Sequence, residues 1–149
     1  MKKFIVIIIL AISLSVAHRQ PPTNIHPVLA NDVEQFIEDA ESYGIDTSVI
    51  KDSLDYITPF PISDYLYGVY TPFNRQISIH MGNCSNPIIL KAVVYHELGH
   101  VFGIDHDSGG IMESGLHPLF ITVRYSNPLT WKLHKKALFT EIKRVQDKK

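Results

Sequence analysis

Three histidines and one glutamate stand within eleven positions, in the stretch VVYHELGHVFGIDHD from Val93 to Asp107. Eight histidines serve all 149 residues, so three at this density call for a common purpose. On a helix, residues four apart share a face and lie about 6 Å apart along the axis. His96 and His100 therefore project side by side, and both can reach one metal ion at about 2.0–2.1 Å. Glu97 is rotated by about 100° from His96, so it meets the edge of the site rather than the metal. That is the place for a general base acting on a metal-activated water. Two ligands from one helix do not enclose a metal. Gly103 supplies the route to a third, because glycine enters the left-handed region freely and turns the chain back at a helix end. His106 follows three residues later. The complete pattern is H-E-x-x-H-x-x-G-x-x-H. Three neutral imidazoles with one open position make a catalytic zinc site rather than a closed structural one.

The segment before this motif fixes its setting. Asn86 is a helix cap and Pro87 takes the first helical position. The helix runs through IILKAVVYHELGHVF to Gly103, and its hydrophobicity makes it the central buried helix. Upstream, Asn31 or Asp32 caps a helix to about Tyr43, with Val33, Phe36, Ile37 and Ala40 as its apolar stripe and Gly44 as its stop. Three β-like runs follow: SLDYIT ending at Pro59, YLYGVY ending at Thr71, and RQISIHM ending at Gly82. In the last, Ile77 and Ile79 alternate with Gln76, Ser78 and His80, the pattern of a half-buried strand. Beyond the histidines, SGGIMESG is a turn and LFITVRY a short strand. Thr130 then caps a final helix with Trp131, Leu138, Ile142 and Val145 on one side. This order predicts an α+β (mixed α/β) single domain, a short twisted sheet with an active-site helix and a C-terminal helix.

The N-terminus MKKFIVIIILAISLSVA has a basic start, an uncharged apolar run from Phe4 to Ala17, and small residues at Ser15 and Ala17. It reads as a signal peptide over residues 1–17. The run falls short of the roughly 20 residues that span a bilayer. The expected mature chain, residues 18–149, is therefore secreted or periplasmic, with no stable membrane anchor after cleavage. Its Pro-rich residues 18–30 are expected to form an extended arm. The one cysteine, Cys84, cannot form an internal disulfide and is expected to be a small buried residue rather than a reactive thiol. A net charge of -1 gives no case for nucleic acid. Acidic residues crowd positions 31–64, with Lys51 the lone cation, while lysines and Arg144 crowd the last helix. Both read as solvated faces.

His96, Glu97, His100, Gly103 and His106 resemble the signature of the metzincin clan of zinc metallopeptidases. Met112, six residues after His106 in a glycine-rich turn, is similar to the methionine turn of compact, matrixin-like members. The resemblance covers about residues 73–115. It implies one catalytic zinc on His96, His100 and His106, with Glu97 as general base. It also implies a peptide or protein substrate lying along an edge strand, for which RQISIHM, with Gln76, Ser78 and His80, is the candidate. Residues 115–125 would wall the side-chain pocket. Two departures are visible. Ser114 stands where astacin-like members place a further tyrosine ligand, and no cysteine-switch segment precedes the domain. His80 and His117 are otherwise expected to be surface or packed histidines, and Asp105 and Asp107 solvated loop acids. The expectation is a monomeric, secreted zinc endopeptidase. The alternatives are a non-catalytic zinc-containing binding or toxin module on the same fold, which Glu97 argues against, and a structural zinc site completed by Cys84 or Asp107.

Overall fold

The computed structural model describes residues 24–61, 63, 65–114 and 118–149. The expected signal segment and residues 18–23 of the expected arm lie outside the described residues. Within them the chain is an α+β fold of five helices and one three-stranded sheet.

Helix α3 (Pro87–Val101) is the centre. The Asn86 side chain accepts a hydrogen bond from the Ile88 N–H at 2.8 Å, and Pro87 follows it, as the sequence predicts. Ile89, Val94, Tyr95 and Leu98 are all buried, so the helix has core on most of its circumference. Gly103, at φ +81°, ends it.

Helix α1 (Pro27–Ser42) begins four residues before Asn31. Its cap is His26, whose Nδ1 accepts from the Val28 N–H at 3.3 Å, and Asn31 and Asp32 lie inside the helix. The earlier start has a packing reason: Leu29 joins Val33, Phe36 and Ala40 in one fully buried stripe. Of the expected arm only residues 24–26 are described outside the helix. Ile25 bridges to Ile57, and the His26 N–H donates to the Ile57 carbonyl at 2.9 Å.

The run SLDYIT divides. Ser48–Ser53 forms a short helix, α2, and strand β1 is Tyr56–Pro59. Strands β2 (Gly68–Thr71) and β3 (Gln76–Ile79) complete a sheet of order β1-β3-β2. β1 is parallel to β3 and β2 antiparallel to it. Ile57, Ile77 and Ile79 are buried in the core.

LFITVRY is not a strand. Pro118–Tyr125 forms helix α4, opened by proline and turning Ile121 and Tyr125, one helical turn apart, inward. Packing against α3 and α5 overrides the local β preference of Ile, Thr and Val. Helix α5 (Pro128–Gln146) is capped by Asn127 rather than Thr130: the Asn127 side-chain Oδ1 accepts from the Leu129 and Thr130 N–H groups at 2.9 and 3.5 Å. Leu138, Phe139 and Ile142 are buried, with Trp131 and Val145 packed beside them.

Phe36 joins the three long helices. Its ring meets those of Tyr95, Phe139 and Phe102 at 5.0, 5.2 and 6.0 Å. Beside them Asp39 accepts from the Tyr95 hydroxyl at 2.7 Å and pairs with Lys135 at 2.8 Å. The acidic and basic segments of the sequence thus meet along α1 and α5. No helix among the described residues is long and apolar enough to cross a membrane.

Candidate metal centre

His96 and His100 leave α3 one turn apart. After Gly103 the Ile104 N–H returns to the Gly99 carbonyl at 3.1 Å, and a single 3-10 turn (His106–Ser108) brings His106 across the open side. The three Nε2 atoms form a near-equilateral triangle, at 3.1 Å from His96 to His100, 3.1 Å from His96 to His106, and 3.0 Å from His100 to His106.

The outer nitrogens decide what that triangle is. His96 Nδ1 lies 2.7 Å from the Ile111 carbonyl oxygen, and His100 Nδ1 lies 2.8 Å from that of Ile104. A carbonyl only accepts, so each Nδ1 carries the proton and donates. In a neutral imidazole the other nitrogen is then a bare lone pair. Burial pushes the His96 imidazole down to about 4 and lowers that of His100 as well, against the opposing pull of those carbonyls. Both rings are therefore held in the ligand form. Two lone pairs facing each other at hydrogen-bond distance, with no proton between them, repel. A cation between the three nitrogens removes that conflict, and the backbone bonds to Nδ1 are the outer support that metal-binding histidines use. The residues fit a metal ion, and among the described residues these three histidines are the group able to hold one.

Glu97 stands beside the triangle and is not part of it. It is buried, and burial pushes its carboxyl up to about 7, opposed by a hydrogen bond from the Tyr70 backbone N–H. Met112 lies under α3 at the end of a second 3-10 turn (Gly110–Met112), which the positive φ of Gly109 and Gly110 makes possible. A Cβ at Gly99 would fall 2.5 Å from Met112 Sδ, so helix and turn touch without a side chain between them. Gly99→Ala is expected to cost about 1–3 kcal/mol through overpacking and to weaken metal binding. Urea unfolding with and without metal checks this, and unchanged stability would remove Met112 as the support of the site.

A cleft of about 670 Å³ opens over the centre between β2 and α4, with Tyr67, Val93, Ile111, Ile121 and Tyr125 among its walls. Here the sequence expectation for the edge strand is overturned. β3 is the middle strand, paired on both sides, so Gln76 and Ser78 cannot present a free edge. Ser78 is buried and accepts from Gln76 Nε2 at 2.9 Å. His80 lies just beyond the strand, where its N–H bonds the Tyr67 carbonyl at 2.9 Å and its Nδ1 accepts from the Asn83 N–H at 3.1 Å. The strand on the cleft side is β2, which folds back and covers that side of β3. Because residues 67 and 80 form a hydrogen-bonded pair, the antiparallel alternation leaves the backbone groups of Gly68 and Tyr70 pointing away from β3. Sequence reasoning missed both. A glycine within the β-like run YLYGVY was the available signal, since an isolated strand glycine marks a close backbone approach.

Cys84 is buried, its thiol donates to the Tyr67 carbonyl at 3.5 Å, and burial pushes it up to about 12. It is not part of the metal cluster. His117 lies outside the described residues, as do residues 115 and 116 of the expected pocket wall. The described part of that wall supplies Ile121 and Tyr125, and the Glu113–Arg124 ion pair at 2.7 Å ties the turn after Met112 to α4. The chain matches no protein-family model, no curated protein and no solved structure.

Proposed function

We propose that this protein is a secreted or periplasmic zinc-dependent endopeptidase of the metzincin type that its motif resembles, acting as a monomer on peptide or protein substrates. The observation that carries this reading is the juxtaposition of three imidazole Nε2 atoms, converging within 3.1 Å, with a separate buried carboxylate and an edge strand in one cleft. A metal site serving only as a structural clip needs neither the carboxylate nor the cleft.

In this reading His96, His100 and His106 hold the zinc, which when bound supplies Lewis acidity to the scissile carbonyl and to the attacking water. Glu97 takes a proton from that water and delivers it to the leaving amine nitrogen. The outward N–H and carbonyl of Gly68 and the carbonyl of Tyr70 receive the substrate as an added antiparallel strand, while the Tyr70 N–H stays on Glu97. Ile121 and Tyr125 form the wall against which a substrate side chain rests.

The test is digestion of an unfolded protein and a mixed peptide pool by the protein loaded with zinc. Cleavage, its loss on chelation and its return on adding zinc are the expected results. A folded protein with zinc bound that leaves both substrates intact sinks the proposal.

A further inference from the structure

We infer that Gly68 is a positioning residue for Glu97: the absence of a side chain on the edge strand is what lets the carboxylate occupy its place beside the metal centre. This rests on the reading of Glu97 as the proton-transfer group.

A Cβ built on Gly68 would lie 2.8 Å from Glu97 Oε1, 2.9 Å from Glu97 Cγ and 2.7 Å from Val93 Cγ1. All three are closer than real Cβ contacts, and the Glu97 atoms belong to a side chain that is 5% exposed. Gly68 is at no positive φ, so its backbone conformation does not require glycine. The requirement is space. Two residues along, the Tyr70 N–H bonds the same carboxylate. Strand alternation puts positions 68 and 70 on the same side of β2, both turned away from β3. β2 therefore grips Glu97 at two points: Gly68 admits the carboxylate and Tyr70 anchors it. Any side chain at position 68 pushes the carboxylate along the helix or pushes the strand off α3. Either shift moves the proton acceptor relative to the water it must reach, while His96 and His100, supported from Ile111 and Ile104, keep their places.

The competing explanation is ordinary packing, in which Gly68 only makes room for Val93. Three variants separate the two: Gly68→Ala, Gly68→Ala with Val93→Ala, and Gly68→Ala with Glu97→Ala. If Gly68 positions Glu97, Gly68→Ala keeps its zinc and loses about 10²-fold in kcat with KM little changed, the scale of an ångström-sized misplacement. Adding Val93→Ala does not restore kcat. The third variant reads the contact without activity. Once Glu97 is truncated, Gly68→Ala should lower the urea midpoint by less than it does in the wild-type background, because coupled neighbours are non-additive. Recovery of kcat by Val93→Ala, or equal midpoint shifts in the two backgrounds, overturns the inference. Should Gly68→Ala not fold alone, its folding on the Glu97→Ala background is the same coupling and supports it. Coupling without any cleavage by the wild-type protein overturns the peptidase reading and leaves the placement of Glu97 standing, so the two failures are distinct.

Discussion

Glu97→Gln is expected to bind zinc as the parent does and to hydrolyse peptides about 10²–10⁴-fold more slowly, the range that general acid–base catalysis contributes. The substitution is chosen for what it preserves. An amide has nearly the shape of the carboxylate, fits the same space against Gly68, and its oxygen still accepts from the Tyr70 N–H. His96 and His100 keep their carbonyl partners, and the three histidines keep their mutual spacing. What disappears is the ability to take a proton from water and return it to an amine. His96→Ala is the contrasting control, because it removes a ligand and should lower zinc content together with activity. Metal analysis beside initial rates separates the two variants. Full activity in zinc-loaded Glu97→Gln would remove Glu97 from the reaction. A zinc content that falls with the rate would instead make Glu97 a support of the ligands.

The histidine cluster of the candidate site was legible because almost all of it is local. Helical pitch alone aligns His96 with His100, and a glycine at a helix end explains how His106 returns, so eleven consecutive residues contain the argument. The Asn86-Pro87 start of α3 is equally local, and the same signature at Asn127-Pro128 marks α5 more reliably than Thr130 did. The sheet was not legible in this way. Which strand is central depends on pairings between residues distant in sequence, and RQISIHM alternates as a half-exposed strand would, although β2 covers it. Gly68 illustrates the limit. Its presence in a β-like run signals a close approach, yet only the fold shows that the approaching group is Glu97. In α4, Pro118 favoured a helix and Ile-Thr-Val a strand; contacts with α3 and α5 decided between them.

Phe36→Ala is expected to give the largest loss of stability of any single truncation considered, about 3–5 kcal/mol. Phe36 is fully buried, and its ring is the common neighbour of Tyr95, Phe102 and Phe139. Those three belong to α3, to its C-terminal end and to α5, so a hole at Phe36 opens the junction on which α3 rests rather than a peripheral contact. Aromatic neighbours on three sides fill the space poorly when one ring is removed, because rigid rings do not collapse as aliphatic chains do. A domain of this kind has about 5–15 kcal/mol in total, so the variant should be folded but marginal, with its melting point lowered by roughly 10–20 °C. Zinc should offset much of the loss. A ligand at a thousand times its dissociation constant adds about 4 kcal/mol to the native state if it ignores the unfolded one. The variant's melting point should therefore rise steeply with free zinc, as should that of the parent protein, and Phe36→Ala in excess chelator should be the least stable form. Melting curves across a zinc titration test both statements at once. A Phe36→Ala protein as stable as the parent would mean that the aromatic junction is not the core of the fold. A melting point indifferent to zinc would mean that the histidine triangle does not hold the metal in the folded state.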